Sequence, residues 1–311
     1  MVTIRDIARQ SGYSVSTVSR VLNQHPHVSQ ETRLAIEQLV KDLDYTPNLL
    51  AKELSLGKTH KVGVIIPHTR HPYFTQLLNG LLDAAQESQH QLVLLPSQYD
   101  QTLEISYLEQ LRGQAFDSLI FTSRSLSLET ILPYSKYGSI VCCEKVEHPQ
   151  ISSVYVTRKP AYLELYRHLQ SKGHQHIALL LSRSSLDSST YRHSLESFQE
   201  VYGQEQEPLI LEGIFNYEDA YQAAQQLARE DKLDVIVANG DEVAAGIARY
   251  YQEHQLPLPY LIGQENQVTS QLLHIPTIDN KSYQLGQEAF QQALADHVTS
   301  KTLYSTLILR P

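Results

Sequence analysis

The stretch Ser11-Gly12-Tyr13-Ser14-Val15-Ser16-Thr17-Val18-Ser19-Arg20-Val21-Leu22-Asn23 decides how the rest of the chain is read. Val15, Val18, Val21 and Leu22 recur at helical spacing, while Ser16, Thr17, Ser19, Arg20 and Asn23 fall on the other faces. One short helix therefore carries an apolar stripe and a polar face of hydroxyls with a single guanidinium. Such a face is built to touch a partner. Upstream, Val2–Arg9 sets Ile4, Ile7 and Ala8 on one side, with Thr3 placed to cap the start and Asp6 approximating a capping box. Gly12 punctuates the pattern. Two short helices joined by a few residues that include a glycine predict a helix-turn-helix, whose second helix enters the DNA major groove. Ser14 would cap that second helix and leave its N–H groups facing a phosphate. The same residues also allow a plain helical hairpin with a solvated serine-rich face.

The run from Val2 to Asn23 resembles, nearly position for position, the opening of the LacI/GalR family of bacterial transcriptional regulators. The resemblance implies base-reading roles for Val15, Ser16 and Arg20. Arg20 is the residue type that forks onto guanine O6 and N7, Ser16 serves several bases, and Val15 offers apolar contact only. It also implies phosphate contacts by Thr3, Ser14, Thr17, Ser19, Asn23 and His27, which fix register without reading sequence.

Downstream, Ser29 is placed to cap a third helix running to about Leu43, with Leu34, Ile36, Leu39, Val40 and Leu43 as its expected buried face. Residues 1–45 then form a helical head, and His25-Pro26-His27 is an exposed loop within it. Residues 46–59 follow, where Pro47 and Gly57 bracket about two helical turns, too short to be stable alone. In the resembled family this is a hinge helix that inserts a leucine between base pairs of the minor groove, and Leu54 stands at that position. By pattern alone it is a linker.

The chain has 311 residues, enough for two or three domains, and a formal net charge of −9. Residues 1–60 hold seven Lys/Arg (Arg5, Arg9, Arg20, Arg33, Lys41, Lys52, Lys58) against six Asp/Glu (Asp6, Glu31, Glu37, Asp42, Asp44, Glu53), so the remainder carries −10. An acidic remainder repels DNA, so phosphate contact has to come largely from hydroxyls, amides and helix N-termini, with two heads acting together. A homodimer on a palindromic operator is expected, and the ending Leu309-Arg310-Pro311 carries no leucine heptad for a tetramer. No apolar run approaches the ~18 residues of a membrane span, and the N-terminus has no signal-peptide layout, which predicts a cytoplasmic protein with no membrane partner. The only cysteines, Cys142 and Cys143, are adjacent, which suits neither an ordinary disulfide nor a zinc site. Neither a metal nor another cofactor is expected.

From Lys61 the composition changes. Apolar strands at Val62–Ile66, Leu92–Leu95, Ser118–Phe121 and Ser139–Cys143 alternate with helices near Tyr73–Gln89 and Thr102–Arg112. The alternation then repeats through strands at Ile177–Leu181, Leu209–Glu212, Val235–Ala238 and Tyr260–Ile262. This pattern predicts an α/β core of two lobes, each a doubly wound parallel sheet. Lys172–Leu180, Ala238–Gly246 and Leu303–Arg310 resemble the family's periplasmic-binding-protein-like (type I) core, which extends the resemblance over residues 60–311. The expected division is lobe 1 at about 60–156 and 278–298, and lobe 2 at about 157–277 and 299–311. The fold class is thus multidomain, an all-α head on an α/β core.

The resemblance implies that a small sugar-like effector binds in the interlobe cleft and changes operator affinity, most simply in a repressor of carbohydrate-utilisation genes. Effector contacts are expected from His68, Tyr73, Phe74, Arg158, Arg192, Asn239, Asp241 and Glu265. His68 and His71 replace a common aspartate and asparagine, Thr157-Arg158 replaces a frequent aspartate, and Gly263-Gln-Glu-Asn replaces Gly-Phe-Asp-Asp. The cleft is therefore less anionic than the family's usual one. An anionic sugar, phosphorylated or acidic, would be gripped by His68, Arg70, Arg158 or Arg192, with Phe215 or Tyr217 as a further wall. Alternatives stay open: a cleft that binds nothing, a protein corepressor in place of a metabolite, or an α/β enzyme with an appended head. For the last, no Gly-x-Ser-x-Gly elbow, phosphate-cradling glycine loop or His-Glu-x-x-His is present.

Overall fold

A computed structural model describes residues 2–47, 51, 53, 56–69, 71–182 and 189–310, and the chain divides into two compact units, 1–59 and 60–311.

In the first unit, α1 (Ile4–Ser11) starts at a complete capping box in which Asp6 N donates to Thr3 Oγ1 and Thr3 N donates to Asp6 Oδ2. It stops at Gly12, whose φ of +71° is the left-handed conformation that a side chain resists. Then α2 (Val15–Leu22) begins at Ser14, whose Oγ accepts from Thr17 N, and α3 (Gln30–Asp42) begins at Ser29, whose Oγ accepts from Thr32 N. Ile7, Ala8, Val18, Val21 and Ile36 form the buried centre of this unit. Two apolar positions lie outside it. Val15 is 43% exposed, and Leu34 is 59% exposed because it sits two residues from Ile36, on the opposite side of α3. In the stretch expected to be the hinge helix, Ala51, Glu53 and Leu56 are helical and Gly57 has a φ of +65°, while Leu54 lies outside the described residues.

In the second unit, β1 (Lys61–Ile66), β2 (Gln91–Pro96), β3 (Ser118–Phe121), β4 (Ser139–Cys142) and β5 (Ser152–Thr157) belong to one sheet. A second sheet holds β6 (Ile177–Leu180), β7 (Leu209–Leu211), β8 (Val235–Val237), β9 (Tyr260–Gln264) and β10 (Thr277–Asp279). The closing strands β11 (Ser300–Tyr304) and β12 (Thr306–Ile308) go one to each, giving orders β11-β5-β4-β3-β1-β2 and β12-β10-β9-β8-β6-β7. All pairings are parallel except β12 against β10. The expected doubly wound lobes are present. Their expected boundary needs one correction: 300–304 pairs along β5 in the first sheet, because only Ser305 separates β11 from β12 and the chain changes sheets there.

The chain therefore passes between lobes three times: after β5, after β10 and at Ser305. The second passage feeds the helix Ser282–Ala293, which packs on the helix Pro72–Glu87 of the first lobe. Gly80 and Gly286 allow this crossing, since a Cβ on either would lie 2.0 or 2.1 Å from the carbonyl oxygen of Tyr283 or Leu77. Cys142 and Cys143 are free thiols buried at the end of β4, and burial pushes the Cys142 thiol up to about 12.

Candidate functional site

The head presents α2 with its stripe turned inward and its polar face outward. Val18 and Val21 are buried, whereas Val15, Ser16, Arg20 and Asn23 are exposed. Ser14 Oγ sits 2.7 Å from Ser16 Oγ and 2.9 Å from Thr17 Oγ1, a cluster of small hydroxyls at the helix start. Asn23 Nδ2 donates to Ser19 O at 2.9 Å and closes the other end. Thr3 and His27 are also exposed, although Thr3 Oγ1 already donates to Asp6 Oδ2. Arg33 Nη2 donates to His25 O at 2.7 Å and so ties α3 to the loop carrying His27. Arg20 is the exposed cation of α2, and no side-chain partner holds it among the described residues.

In the second unit a cavity of about 1160 Å³ separates the lobes. Seven of the eight expected effector residues line it: His68, Tyr73, Phe74, Arg158, Arg192, Asn239 and Glu265. One wall is aromatic, with the His68 ring 5.0 Å from Phe74 and 6.4 Å from both Tyr99 and Phe215. Phe215 is thus a wall as expected, and Tyr217 is not among the lining residues. The lining also includes Arg158, Arg192 and the hydroxyl-bearing Thr122, Ser123, Ser125 and Ser182. Arg70 lies outside the described residues.

Asp241 does not reach the cavity. It is fully buried and accepts from Gln267 N, Ser270 Oγ and Thr277 Oγ1, each at 2.6 Å, so it braces the second lobe. Glu265 lines the cavity, but its carboxylate accepts from Asn280 Nδ2 at 2.6 Å and Ser282 Oγ at 2.5 Å. Ser305 Oγ in turn donates to Asn280 Oδ1 at 2.8 Å. Residues from two of the three interlobe passages therefore converge on Glu265, whose φ of +86° is strained for a side-chain-bearing residue. Burial raises its pKa, against the opposing pull of Arg158, Ser282 and Asn280. Asn239 Nδ2 donates to Ile214 O at 2.8 Å, while its buried Oδ1 has no protein donor among the described residues.

Several lining residues escaped sequence reasoning. Tyr99 follows β2, and Arg124, Glu144 and Lys145 follow β3 and β4. Their shared signal is position, since each lies just past the carboxyl end of a parallel strand, where open α/β sheets bind ligands. Buried Glu104 arranges one of these loops by accepting from Ser125 N and Leu126 N at 3.0 Å. Arg124 forms an ion pair with Glu144. Among the described residues no group of His, Cys, Asp and Glu is placed to hold a metal ion, and no helix is long and apolar enough to cross a membrane.

Residues 3–48 match the bacterial regulatory proteins of the lacI family, and residues 59–300 match the periplasmic binding proteins and sugar binding domain of the LacI family. The chain belongs to the LacI family. It is a DNA-binding transcriptional regulator, with the head on residues 3–48 and the two-lobed domain after it. This LacI-family chain is 39% identical over 297 residues to catabolite control protein B of Bacillus subtilis (strain 168), covering 95% of each. It is 28% identical over 322 residues to catabolite control protein A of Priestia megaterium, covering 100% of this chain and 96% of the relative. Among solved structures, the Lac repressor dimer bound to operator and the anti-inducer ONPF shares the fold at a TM-score of 0.81 and 23% identity, covering 99% of this chain and 98% of that one.

Proposed function

We propose that this regulator is a cytoplasmic homodimer that represses carbohydrate-utilisation genes and answers to a small polyhydroxylated effector in the interlobe cavity. The observation that carries the reading is the cavity itself, which Tyr73, Phe74, Tyr99 and Phe215 line together with hydroxyls and guanidinium groups. A sugar ring offers the same pairing, with apolar C–H faces and a rim of hydroxyls. The family match to a sugar binding domain and the relatedness to catabolite control proteins support it further.

In this reading Arg20, Ser16 and Val15 read base edges, while Thr3, Ser14, Thr17, Ser19, Asn23 and His27 hold phosphates. Leu54 of each hinge opens the minor groove between the two heads. Tyr73, Phe74, His68, Arg158, Arg192 and Asn239 hold the effector, and Glu265 shapes the site from behind. The protein acts by binding, with no turnover step. Effector binding moves the two lobes and shifts the hinge's folding equilibrium, a coupling of ~1–3 kcal/mol.

The test is operator selection from a random DNA pool, followed by titration of the enriched operator in the presence of neutral and phosphorylated sugars. A palindromic site whose affinity changes about fivefold or more with one sugar is expected. An enriched palindrome that no sugar affects overturns the effector reading, and no enriched palindrome overturns the dimeric one.

A further inference from the structure

Of the five lysine and arginine residues lining the cavity, three have a carboxylate partner that can be named. Arg124 pairs with Glu144, Lys145 Nζ lies 2.7 Å from Glu147 Oε1, and Lys159 Nζ lies 3.0 Å from Glu200 Oε2. Arg158 differs. Among the described residues no carboxylate lies within ion-pair distance of it.

Two contacts fix Arg158 in place. Its guanidinium lies over the Tyr73 ring, 5.4 Å from the centroid, and its Nη1 donates to Thr190 Oγ1. The face of the fork is thus covered by an aromatic ring and one corner is tied to the helix Ser189–Tyr202. The remaining N–H groups have no protein acceptor among the described residues. A half-buried guanidinium held rigid with open donors is a preformed receptor for a planar or tetrahedral oxyanion. Glu265 feels the Arg158 charge but is not within ion-pair distance of it, and its oxygens accept from Asn280 and Ser282.

The surroundings are cationic as well. His193 also lines this end of the cavity, and burial together with the charges of Arg158, Arg192 and Lys159 holds its pKa down, against the pull of Glu196.

The geometry points to an effector that carries one anionic group, a carboxylate or a phosphate, seated on the Arg158 fork between Tyr73 and Thr190, with its neutral part on the aromatic wall. This deepens the effector reading given above and rests on it.

The experiment is calorimetry of the full-length protein with five probes: glucose, glucose 6-phosphate, glucuronate, inorganic phosphate and acetate. Inorganic phosphate or acetate should bind at tens of millimolar, and the matching charged sugar should bind at least about tenfold tighter than glucose. Which pair responds distinguishes a phosphate from a carboxylate. Arg158→Gln should erase the advantage of the charged probe, and Arg158→Lys should restore part of it. Thr190→Val, which leaves the charge and frees the fork, should weaken the charged probe several-fold and serves as the second variant should Arg158→Gln fail to fold.

The proposal is overturned when neither small anion binds, when glucose binds as tightly as its charged analogues, or when charged-probe binding survives both Arg158→Gln and Thr190→Val. Glucose binding alone would leave the sugar-effector reading standing and remove only the anion. The absence of any sugar effect on operator affinity would remove that reading by itself.

Discussion

His71 Nε2 lies 3.0 Å from the backbone carbonyl oxygen of Asn239, so one imidazole hydrogen bond joins the first lobe to the second across the mouth of the cavity. The other ring nitrogen fixes the tautomer. His71 Nδ1 accepts from Tyr73 N at 3.2 Å as the N-cap of the helix Pro72–Glu87, so the proton resides on Nε2 and is donated to Asn239. Gln76 Nε2 adds a second bridge by donating to Glu265 O at 3.0 Å. Capping and lobe closure thus share one neutral side chain, which must lose the cap if Nδ1 is protonated.

Burial, and secondarily the Arg158 charge, lower the His71 pKa to about 4 from 6.5, although the Asn239 carbonyl pulls the other way. Between those values the unfolded chain takes up a proton that the native ring refuses. Stability from neutral His71 is therefore complete above pH 6.5 and is lost as pH falls toward 4, on the order of 3 kcal/mol in all. His71→Asn keeps a capping side chain and cannot titrate. In urea unfolding, the stability advantage of wild type over this variant should shrink steadily from pH 7 to pH 4.5. A difference that stays constant over that range would refute the role of His71.

Arg20 is exposed on α2 and is free to fork onto a guanine edge. Arg20→Ala should cost ~1–3 kcal/mol on the selected operator and relax discrimination at one base pair in each half-site. Binding to random DNA should weaken far less. Equal losses on operator and random DNA would reassign Arg20 to phosphate contact.

The head is legible because its signals are local. Thr3, Ser14 and Ser29 each cap a helix that begins at the next residue, and Gly12 ends α1 in a conformation that favours glycine. The core strands are legible where they are continuous and apolar, as in β1 and β3, which are buried along most or all of their length. Strands β5, β10, β11 and β12 are not, because Ser152-Ser153, Thr277 and Ser300-Lys301-Thr302 do not stand out as apolar runs, and long-range pairing decides their fate. The cavity divides the same way. Tyr73 and Phe74 could be placed by the family resemblance, whereas Arg124 and Lys145 enter only because the ends of β3 and β4 meet there. Asp241 shows the converse: an acidic residue in a familiar motif whose three donors turn it away from the cavity.

Glu104 is the buried residue that shapes the loop after β3. Glu104→Ala would leave Ser125 N and Leu126 N without acceptors in a buried setting, at ~1–3 kcal/mol for each group. Thermal unfolding should show a large destabilisation. Glu104→Gln, which retains one carbonyl oxygen, should recover about half of it. The loop also carries Arg124 and Ser123 into the cavity, so charged-ligand affinity should fall in the alanine variant even where it remains folded. A stable alanine variant would mean that water replaces the carboxylate.

Asp241 offers the sharpest separation of bracing from binding. Its carboxylate holds Gln267 N, Ser270 Oγ and Thr277 Oγ1, and it packs so closely on β9 that a Cβ at Gly263 would stand 2.1 Å from its Oδ1. Asp241→Ala should cost ~3 kcal/mol, because three donors lose their acceptor in the interior. Gly263→Ala should destabilise through the same contact, by displacing the carboxylate. Burial raises the Asp241 pKa to about 6 from 3.8, opposed by the hydrogen bonds from Ser270, Thr277 and Gln267. The native state therefore holds this proton more tightly than the unfolded chain, and stability from it, present below pH 3.8, is lost as pH rises through 6. Asp241→Asn cannot titrate and keeps an acceptor oxygen. Urea unfolding should find the asparagine variant gaining on wild type between pH 4 and pH 7, with the alanine variant the less stable throughout. If Asp241 instead served an effector, both variants would keep wild-type stability and lose ligand affinity alone.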